Sequence, residues 1–257
     1  MRAIKRSDGG KTMSNYRLLI QYEGTRYQGW QRQESTENTI QGRLEALLTK
    51  MCGTPVEIQG SGRTDAGVHA LGQVANFHAE TDMTCQEILT YINKYLPEDI
   101  GVIEVTKVSE RFHSRLNAKG KTYCYRVWNS NLPCVFDRKF VTVVSDKLDV
   151  EAMRRAASYL TGTHDFKAFT SAKRGKKSTV RTIESIEITE CGKELRFVFR
   201  GDGFLYHMVR ILVGTLLEVG KGERKAEELP SVIDKGQRES AGALVPAGGL
   251  TLVEVRY

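Results

Sequence analysis

The chain lacks long apolar runs, and this excludes a membrane-spanning protein. Its longest apolar tract, around Leu205 to Leu217, is shorter than the roughly 18 residues that a transmembrane helix needs. The amino terminus is basic and polar, without the apolar segment typical of a signal peptide. We therefore expect a cytoplasmic protein that makes no membrane contact.

Paired cysteines are also missing. The five cysteines include no C-x-x-C pair and stand at irregular spacing, at Cys52, Cys85, Cys124, Cys134 and Cys191. An odd number at such spacing argues against a disulfide framework and favours a reducing compartment. The histidines show no metal-ligand spacing relative to these cysteines, so no zinc site is predicted.

The common catalytic and nucleotide-binding fingerprints are absent as well. The glycine-rich stretch at 24–29 matches neither a dinucleotide fingerprint nor a P-loop. No Ser/His/Asp order and no paired catalytic carboxylates stand out. Any chemistry must therefore depend on a less familiar arrangement of residues.

The chain does carry surplus positive charge. Lys and Arg outnumber Asp and Glu by 38 to 31, which gives a net charge of +7 and a pI of about 9.1. Such a pI is typical of nucleic-acid binders, although mild basicity also serves solubility. Two clusters stand out, comprising Arg111, Arg115, Lys119, Lys121 and Arg126, and Lys173, Arg174, Lys176, Lys177 and Arg181. They are either solvated side chains or contacts to RNA phosphates, which position a nucleic acid without reading its sequence.

Strand and helix patterns alternate through two halves of the chain. A strand is predicted at Tyr16–Tyr22, and apolar spacing predicts a helix after it, capped by Ser35 or Asn38. Further helices are predicted at Val150–Leu160 and from about Tyr206 to Val219. Because strands mostly follow strands, antiparallel pairing in an α+β fold is favoured. We predict a flexible extension at 1–13, an α/β domain at 14–115 and a second α/β domain at 116–257.

Asp65 is the first candidate for chemistry. It lies in the sequence G-S-G-R-T-D-A-G-V-H, between predicted strands, where loops commonly present catalytic groups. The glycines of this loop permit backbone conformations closed to other residues. The alternative is that Asp65 caps a helical turn or closes an Asx-turn.

Arg210 is the only fixed charge in the apolar tract LYHMVRILVGTLL. A helix that is apolar on nearly all sides is normally buried, and a buried arginine needs a partner. Either a carboxylate meets Arg210 inside the protein, or its side chain extends along the helix to solvent. A buried pair with Asp65 would keep that carboxylate ionised, as a nucleophile or a base requires.

Tyr123 lies in the predicted strand K-T-Y-C-Y-R, on the same face as Tyr125. Both rings could be ordinary core or cross-strand aromatics. The functional alternative is that Tyr123 stacks on a base removed from a nucleic-acid helix.

Six motifs then occur in order along the chain. They are Y-E-G-T-R-Y-Q-G-W-Q (22–31), G-R-T-D-A-G-V-H-A (62–70), F-H-S-R (112–115), K-T-Y-C-Y-R (121–126), G-T-H-D-F (162–166) and G-F-L-Y-H-M-V-R (203–210). Together they closely resemble the TruA family of tRNA pseudouridine synthases. The resemblance covers nearly the whole chain from Tyr16, but not its first dozen residues. Departures are small: Glu23 stands where the family more often has Asp, and the stretch 241–250 is a looser version of a carboxyl-terminal motif.

The resemblance implies an enzyme that converts uridine to pseudouridine at positions 38, 39 and 40 of the tRNA anticodon stem-loop. It also implies the pseudouridine synthase fold, in which two similar α/β halves share a mainly antiparallel central sheet with flanking helices. The family needs no metal or organic cofactor and acts as a homodimer that cradles the tRNA.

The resemblance assigns roles to four residues of this chain. Asp65 matches the catalytic aspartate, Tyr123 the tyrosine that contacts the substrate, and Arg210 the arginine partner of the aspartate. Arg63 matches the arginine thought to help displace the target base. The carboxylate could add to the base, trap the sugar, or remove a sugar proton to form a glycal, and the sequence does not choose among these.

Two other functions are compatible with parts of the sequence. An RNA-binding or chaperone protein without catalysis would use the same basic clusters, but it would not need both Asp65 and an isolated Arg210. An enzyme acting on small nucleosides is disfavoured by the positive charge.

Overall fold

The computed structural model describes residues 13–172 and 178–257, and within these ranges ten strands and five α-helices are present. The strands are β1 (Met13–Tyr22), β2 (Ile58–Gly60), β3 (His69–Glu80), β4 (Ile100–Val108), β5 (Gly120–Asn129), β6 (Thr142–Val144), β7 (Gly162–Asp165), β8 (Val180–Cys191), β9 (Glu194–Gly201) and β10 (Leu250–Arg256). The helices are α1 (Ile40–Cys52), α2 (Cys85–Tyr95), α3 (Val150–Leu160), α4 (Met208–Gly220) and α5 (Leu229–Lys235).

All ten strands belong to one sheet, with the order β4-β1-β3-β10-β5-β9-β8-β7, while β2 pairs with β3 and β6 with β5. Pairing is antiparallel except between β3 and β10 and between β5 and β6. The last strand of the chain thus joins the two halves, through the pairs Thr251–His69 and Leu252–Ala70. The predicted α+β fold, with a mainly antiparallel central sheet and flanking helices, is confirmed.

The N-cap of helix α1 lies one residue after Asn38 and four after Ser35, the two predicted caps. Thr39 is the N-cap, and its hydroxyl accepts a hydrogen bond from the amide of Gly42 at 3.1 Å. The prediction of Ser35 or Asn38 as the cap was therefore wrong. Asn38 instead donates its side-chain amide to the carbonyl of Arg26, which ties the preceding loop to the helix.

Helix α4 is the most deeply buried helix of the described residues. Only Arg210 and Glu218 among its 13 residues are not fully buried. A Cβ added at Gly214 would lie 1.9 Å from the carbonyl oxygen of Ala243, so the absence of a side chain lets the 241–245 segment pack directly on the helix. This close approach places the backbone of that segment beside Arg210.

The predicted division into domains at 14–115 and 116–257 stays a prediction. Buried apolar residues from both stretches belong to one continuous core. The predicted extension at 1–13 overlaps β1 at Met13, and residues 1–12 lie outside the described residues. Among the residues that the structure describes, no helix combines the length and apolar character needed to cross a membrane.

Candidate active site

A cleft of about 2060 Å³ opens beside the centre of the sheet. One wall is the loop at 60–68, which contains Asp65 and joins β2 to β3. Tyr123 of β5 and the segment at 204–209, which leads into α4, line it further, as do residues 236–239. The cleft therefore brings together motifs that are far apart in the sequence.

The loop that carries Asp65 is fixed by its main chain. The amide of Val68 donates to the carbonyl of Asp65 at 3.1 Å, and the amide of Trp30 donates to the carbonyl of Thr64 at 3.1 Å. Gly29 has a φ of 85°, and a Cβ there would lie 2.6 Å from the Thr64 oxygen. Only glycine therefore combines this backbone conformation with so close an approach to the loop.

Buried polar side chains support the same loop from below. The hydroxyls of Tyr22 and Thr64 lie 2.8 Å apart. Gln73 accepts a hydrogen bond from the Ser61 hydroxyl at 2.7 Å and donates to the carbonyl of Gly62 at 3.0 Å. Burial raises the pKa of Tyr22 to about 12, so its hydroxyl stays neutral in this network. Satisfied buried networks of this kind restrict a loop to one conformation.

Asp65 and Arg210 form an ion pair across the cleft wall. Arg210 Nη1 donates to Asp65 Oδ2 at 3.0 Å, and the two side chains are 12% and 20% exposed. Arg210 Nε donates to the carbonyl of Val245 at 2.8 Å, so the 241–245 segment orients the guanidinium. The arginine does not extend along its helix to solvent. The main-chain carbonyl of Asp65, and not its side chain, accepts the hydrogen bond that closes the local turn. The carboxylate is directed at Arg210.

Tyr123 lies in the same cleft but is only 8% exposed. Its ring and that of Phe204 pack edge to face, with ring centroids 5.2 Å apart and an interplanar angle of 85°. Burial, followed by the nearby acidic groups Tyr22 and Asp65, raises the pKa of Tyr123 well above its ordinary value. Its hydroxyl is therefore a neutral hydrogen-bonding group at the base of the cleft.

His207 and Tyr206 were missed by the sequence reasoning. His207 Nε2 lies 3.6 Å from Asp65 Oδ2, and the rings of His207 and Tyr206 stack with centroids 3.7 Å apart. Burial lowers the pKa of His207, which favours the neutral imidazole. No local pattern indicated that His207 faces Asp65, because it is the N-cap of α4, has a left-handed backbone and lies outside the helical repeat.

The six predicted phosphate contacts, and Arg63, which was predicted to help displace the target base, occupy different environments. Arg63 and Arg115 are exposed and line the cleft. Lys121 is half-buried, and its Nζ donates to the carbonyl of Ser61 at 2.9 Å. The remaining four, Lys173, Arg174, Lys176 and Lys177, lie outside the described residues. Arg181, from the second basic cluster, also lines the cleft, as do three basic residues that belong to neither cluster, namely Arg32, Lys167 and Arg238.

Lys121 yields a prediction about pH. Burial, followed by the charges of Arg115 and Arg181, lowers its pKa from 10.5 to about 8. Between these two values the unfolded chain binds more protons at Lys121 than the folded chain does, so this side chain makes stability rise with pH. The quantity to follow is the free energy of unfolding of the wild type minus that of Lys121→Met. We expect this difference to increase by roughly 1 kcal/mol per pH unit between about pH 8 and 9.5.

Denaturant titrations of both proteins at several pH values measure this difference. Below about pH 7 the difference should be constant, because Lys121 is then almost fully protonated in both states. The tyrosines whose pKa values burial raises are present in both proteins and cancel in the comparison. A difference that does not change with pH would contradict the assignment.

The described residues contain no group of three or more His, Cys, Asp or Glu side chains placed to hold a metal ion. The cleft brings together a carboxylate with a fixed cation, a neutral imidazole, a neutral phenol and a rim of basic residues.

Comparison with known proteins identifies the family. The family model described as tRNA pseudouridine synthase matches residues 18–117 and 156–257. Over 245 residues the chain is 49% identical to tRNA pseudouridine synthase A of Bacillus sp. (strain KSM-64), covering 95% of this chain and 100% of the relative. It is 46% identical to tRNA pseudouridine synthase A of Acetivibrio thermocellus, with the same coverage. The chain therefore belongs to the tRNA pseudouridine synthase family, whose members are isomerases.

A solved structure of a Cbf5–Nop10–Gar1 complex shows a slight likeness. It covers 79% of this chain and 45% of that one, with 13% identity and a TM-score of 0.34. A likeness this weak has no bearing on function.

Proposed function

We propose that this protein converts uridine to pseudouridine at positions 38, 39 and 40 of the tRNA anticodon stem-loop, with Asp65 as the essential carboxylate. The observation that supports this most directly is the pairing of Asp65 with Arg210 in a wide, basic-rimmed cleft. Family membership supports the activity on tRNA.

The reaction needs neither an oxidant nor an energy source. The N1–C1′ bond of uridine breaks, the uracil rotates, and C5 bonds to C1′. C5 then loses its proton, and N1 gains one, by way of solvent or a base. One ionised carboxylate can start this sequence by adding to the base, by bonding to C1′, or by removing a sugar proton to form a glycal. Arg210 pairs with the Asp65 carboxylate at 3.0 Å and fixes its direction for any of these routes.

The target base must leave the helical stack before Asp65 can reach it. Extrusion costs a few kcal/mol, which contacts in a pocket offset. Arg63 is exposed at the cleft two residues before Asp65, where it can occupy the space that the base leaves. Tyr123, which is buried and lines the same cleft as Asp65, gives the extruded uracil an aromatic ring and a hydroxyl to contact.

Basic residues around the cleft are proposed as contacts to RNA phosphates. Arg115 and Lys121 both line the cleft, and the charge of Arg115 acts on Lys121. Lys173, Arg174, Lys176 and Lys177 are proposed contacts on the basis of the sequence alone. Such contacts make affinity fall steeply with added salt, which an enzyme acting on small nucleosides would not show.

We also propose that the protein is a homodimer in the cytoplasm. Apolar side chains are exposed between β5 and β6 and on β6, with Phe136 96%, Leu132 60%, Val135 59% and Val143 52% exposed. A second copy of the chain would cover such a patch. The free cysteines of the described residues fit a reducing compartment. The molar mass of the purified protein, measured by light scattering, tests the dimer.

The activity is tested by incubating purified protein with unmodified tRNA. Mass spectrometry after uracil-specific derivatisation should then find pseudouridine at one or more of positions 38, 39 and 40. Tight tRNA binding with no product would contradict the proposed function and leave an RNA-binding protein without catalysis.

A further inference from the structure

Tyr206 is the most exposed aromatic side chain of the cleft. It is 55% exposed, whereas Trp30 and Tyr123, which also line the cleft, are 2% and 8% exposed. One face of its ring is covered by His207, with an interplanar angle of 28°. The ring therefore has a supported face and a large surface open to the cleft.

The Tyr206–His207 ring pair is held in place by its backbone. The carbonyl of Tyr206 accepts hydrogen bonds from the Thr170 hydroxyl at 3.0 Å and from the amide of Ser171 at 3.3 Å. His207 has a φ of 65° and is the only non-glycine among residues 13–172 and 178–257 with a positive φ. A side chain in this region is strained, and such strain concentrates at functional sites.

A second cost falls on the His207 ring. Its Nδ1 is buried and has no hydrogen-bond partner within the described part of the chain. A buried polar atom without a partner destabilises a fold. The fold thus tolerates backbone strain and an unsatisfied nitrogen at His207. The same residue stacks its ring against Tyr206 at the cleft.

The position of the ring pair relative to Asp65 determines which base can use it. The target uracil must lie against Asp65, whose carboxylate meets the edge of His207 at 3.6 Å. A base on the open face of Tyr206 would be separated from the His207 ring by the thickness of Tyr206. Such a base lies too far from Asp65 to be the target.

We infer that Tyr206, backed by His207, is a stacking platform for an unpaired RNA base that directly neighbours the target nucleotide. This inference rests on the proposed function and deepens it. Extruding one base from a stem leaves its neighbours unstacked, and an aromatic ring accepts any base because every base has a flat face. The platform therefore fits an enzyme that must accept different sequences around its targets.

The test uses anticodon stem-loop RNA with the fluorescent base 2-aminopurine at one nucleotide at a time. The probe is placed on either side of the target uridine and, in a third RNA, at the target itself. The full-length protein is compared with Tyr206→Ala and with the matched control Tyr206→Phe. Because Tyr206 is exposed, neither change should unfold the protein, and melting curves check this.

Wild type and Tyr206→Phe should bind with equal affinity and quench the probe at a neighbouring position. Tyr206→Ala should lose this quenching and bind about 5- to 150-fold more weakly, the range expected for one stacked base. Unchanged affinity and quenching in Tyr206→Ala would overturn the inference. Tyr206-dependent quenching only with the probe at the target would overturn it too.

Product formation is measured on the unlabelled stem-loop in parallel. If the wild type forms pseudouridine and Tyr206→Ala binds normally, the platform alone is refuted. If the wild type forms no product, the proposed function fails, whatever the fluorescence shows.

Discussion

Asp65→Asn should reduce pseudouridine formation at least about 10⁴-fold, the scale of loss when an essential catalytic group is removed. Asparagine has the same shape, and its amide oxygen can still accept the hydrogen bond from Arg210 Nη1, now 3.0 Å from Asp65 Oδ2. It is uncharged, however, and can neither attack the substrate nor take a proton from it. The affinity for tRNA should stay within about twofold, because phosphate contacts supply most of the binding.

Tritium release from tRNA labelled at uracil C5 measures the turnover, and filter binding measures the affinity. Glu239→Gln is the matched control, since it removes an exposed carboxylate from the same cleft. It should turn over like the wild type. Substantial turnover by Asp65→Asn would refute the catalytic role, whereas equal losses in both variants would indicate a general effect of charge.

The sequence alone predicted the regular elements well where their pattern is local. Helix α3 has the predicted bounds, Val150–Leu160, because its apolar residues repeat at helical spacing. The strands β6 and β7, with three and four residues, were not predicted. Strands this short depend on the neighbour that they pair with, and a local pattern does not contain that neighbour.

The sequence likewise predicted one part of the candidate site and missed another. An isolated arginine in an apolar helix indicated a buried partner, although Asp65 and Arg210 are 145 positions apart. The Tyr206–His207 ring pair was not predicted, because it depends on a left-handed backbone conformation at a residue that rarely adopts one. The sequence showed that Lys121 is charged, but it did not show that its ammonium group donates to the carbonyl of Ser61.

Arg210→Leu should be inactive and also less stable than the wild type. Leucine suits the apolar helix α4, but the Asp65 carboxylate, which is only 20% exposed, would lose its cationic partner. Removing one partner of a buried pair costs about 3 kcal/mol or more. For a chain of this size we expect a fall in melting temperature of roughly 6–12 °C. An inactive variant that melts at the wild-type temperature would contradict the importance of the pair for the fold.

A double variant separates the stranded charge from the lost packing. In Arg210→Leu combined with Asp65→Asn the partner is neutral, so the double variant should be more stable than Arg210→Leu alone. A non-additive result of this kind is expected of two residues that act as a pair.

Arg210→Lys completes the comparison. A lysine has no planar fork and cannot hold Asp65 and the carbonyl of Val245 together in the way Arg210 does, so it should preserve the fold but restore little activity. If the losses of stability from Arg210→Leu and Asp65→Asn simply add in the double variant, Arg210 stabilises the fold through its contact with the 241–245 segment and not through Asp65.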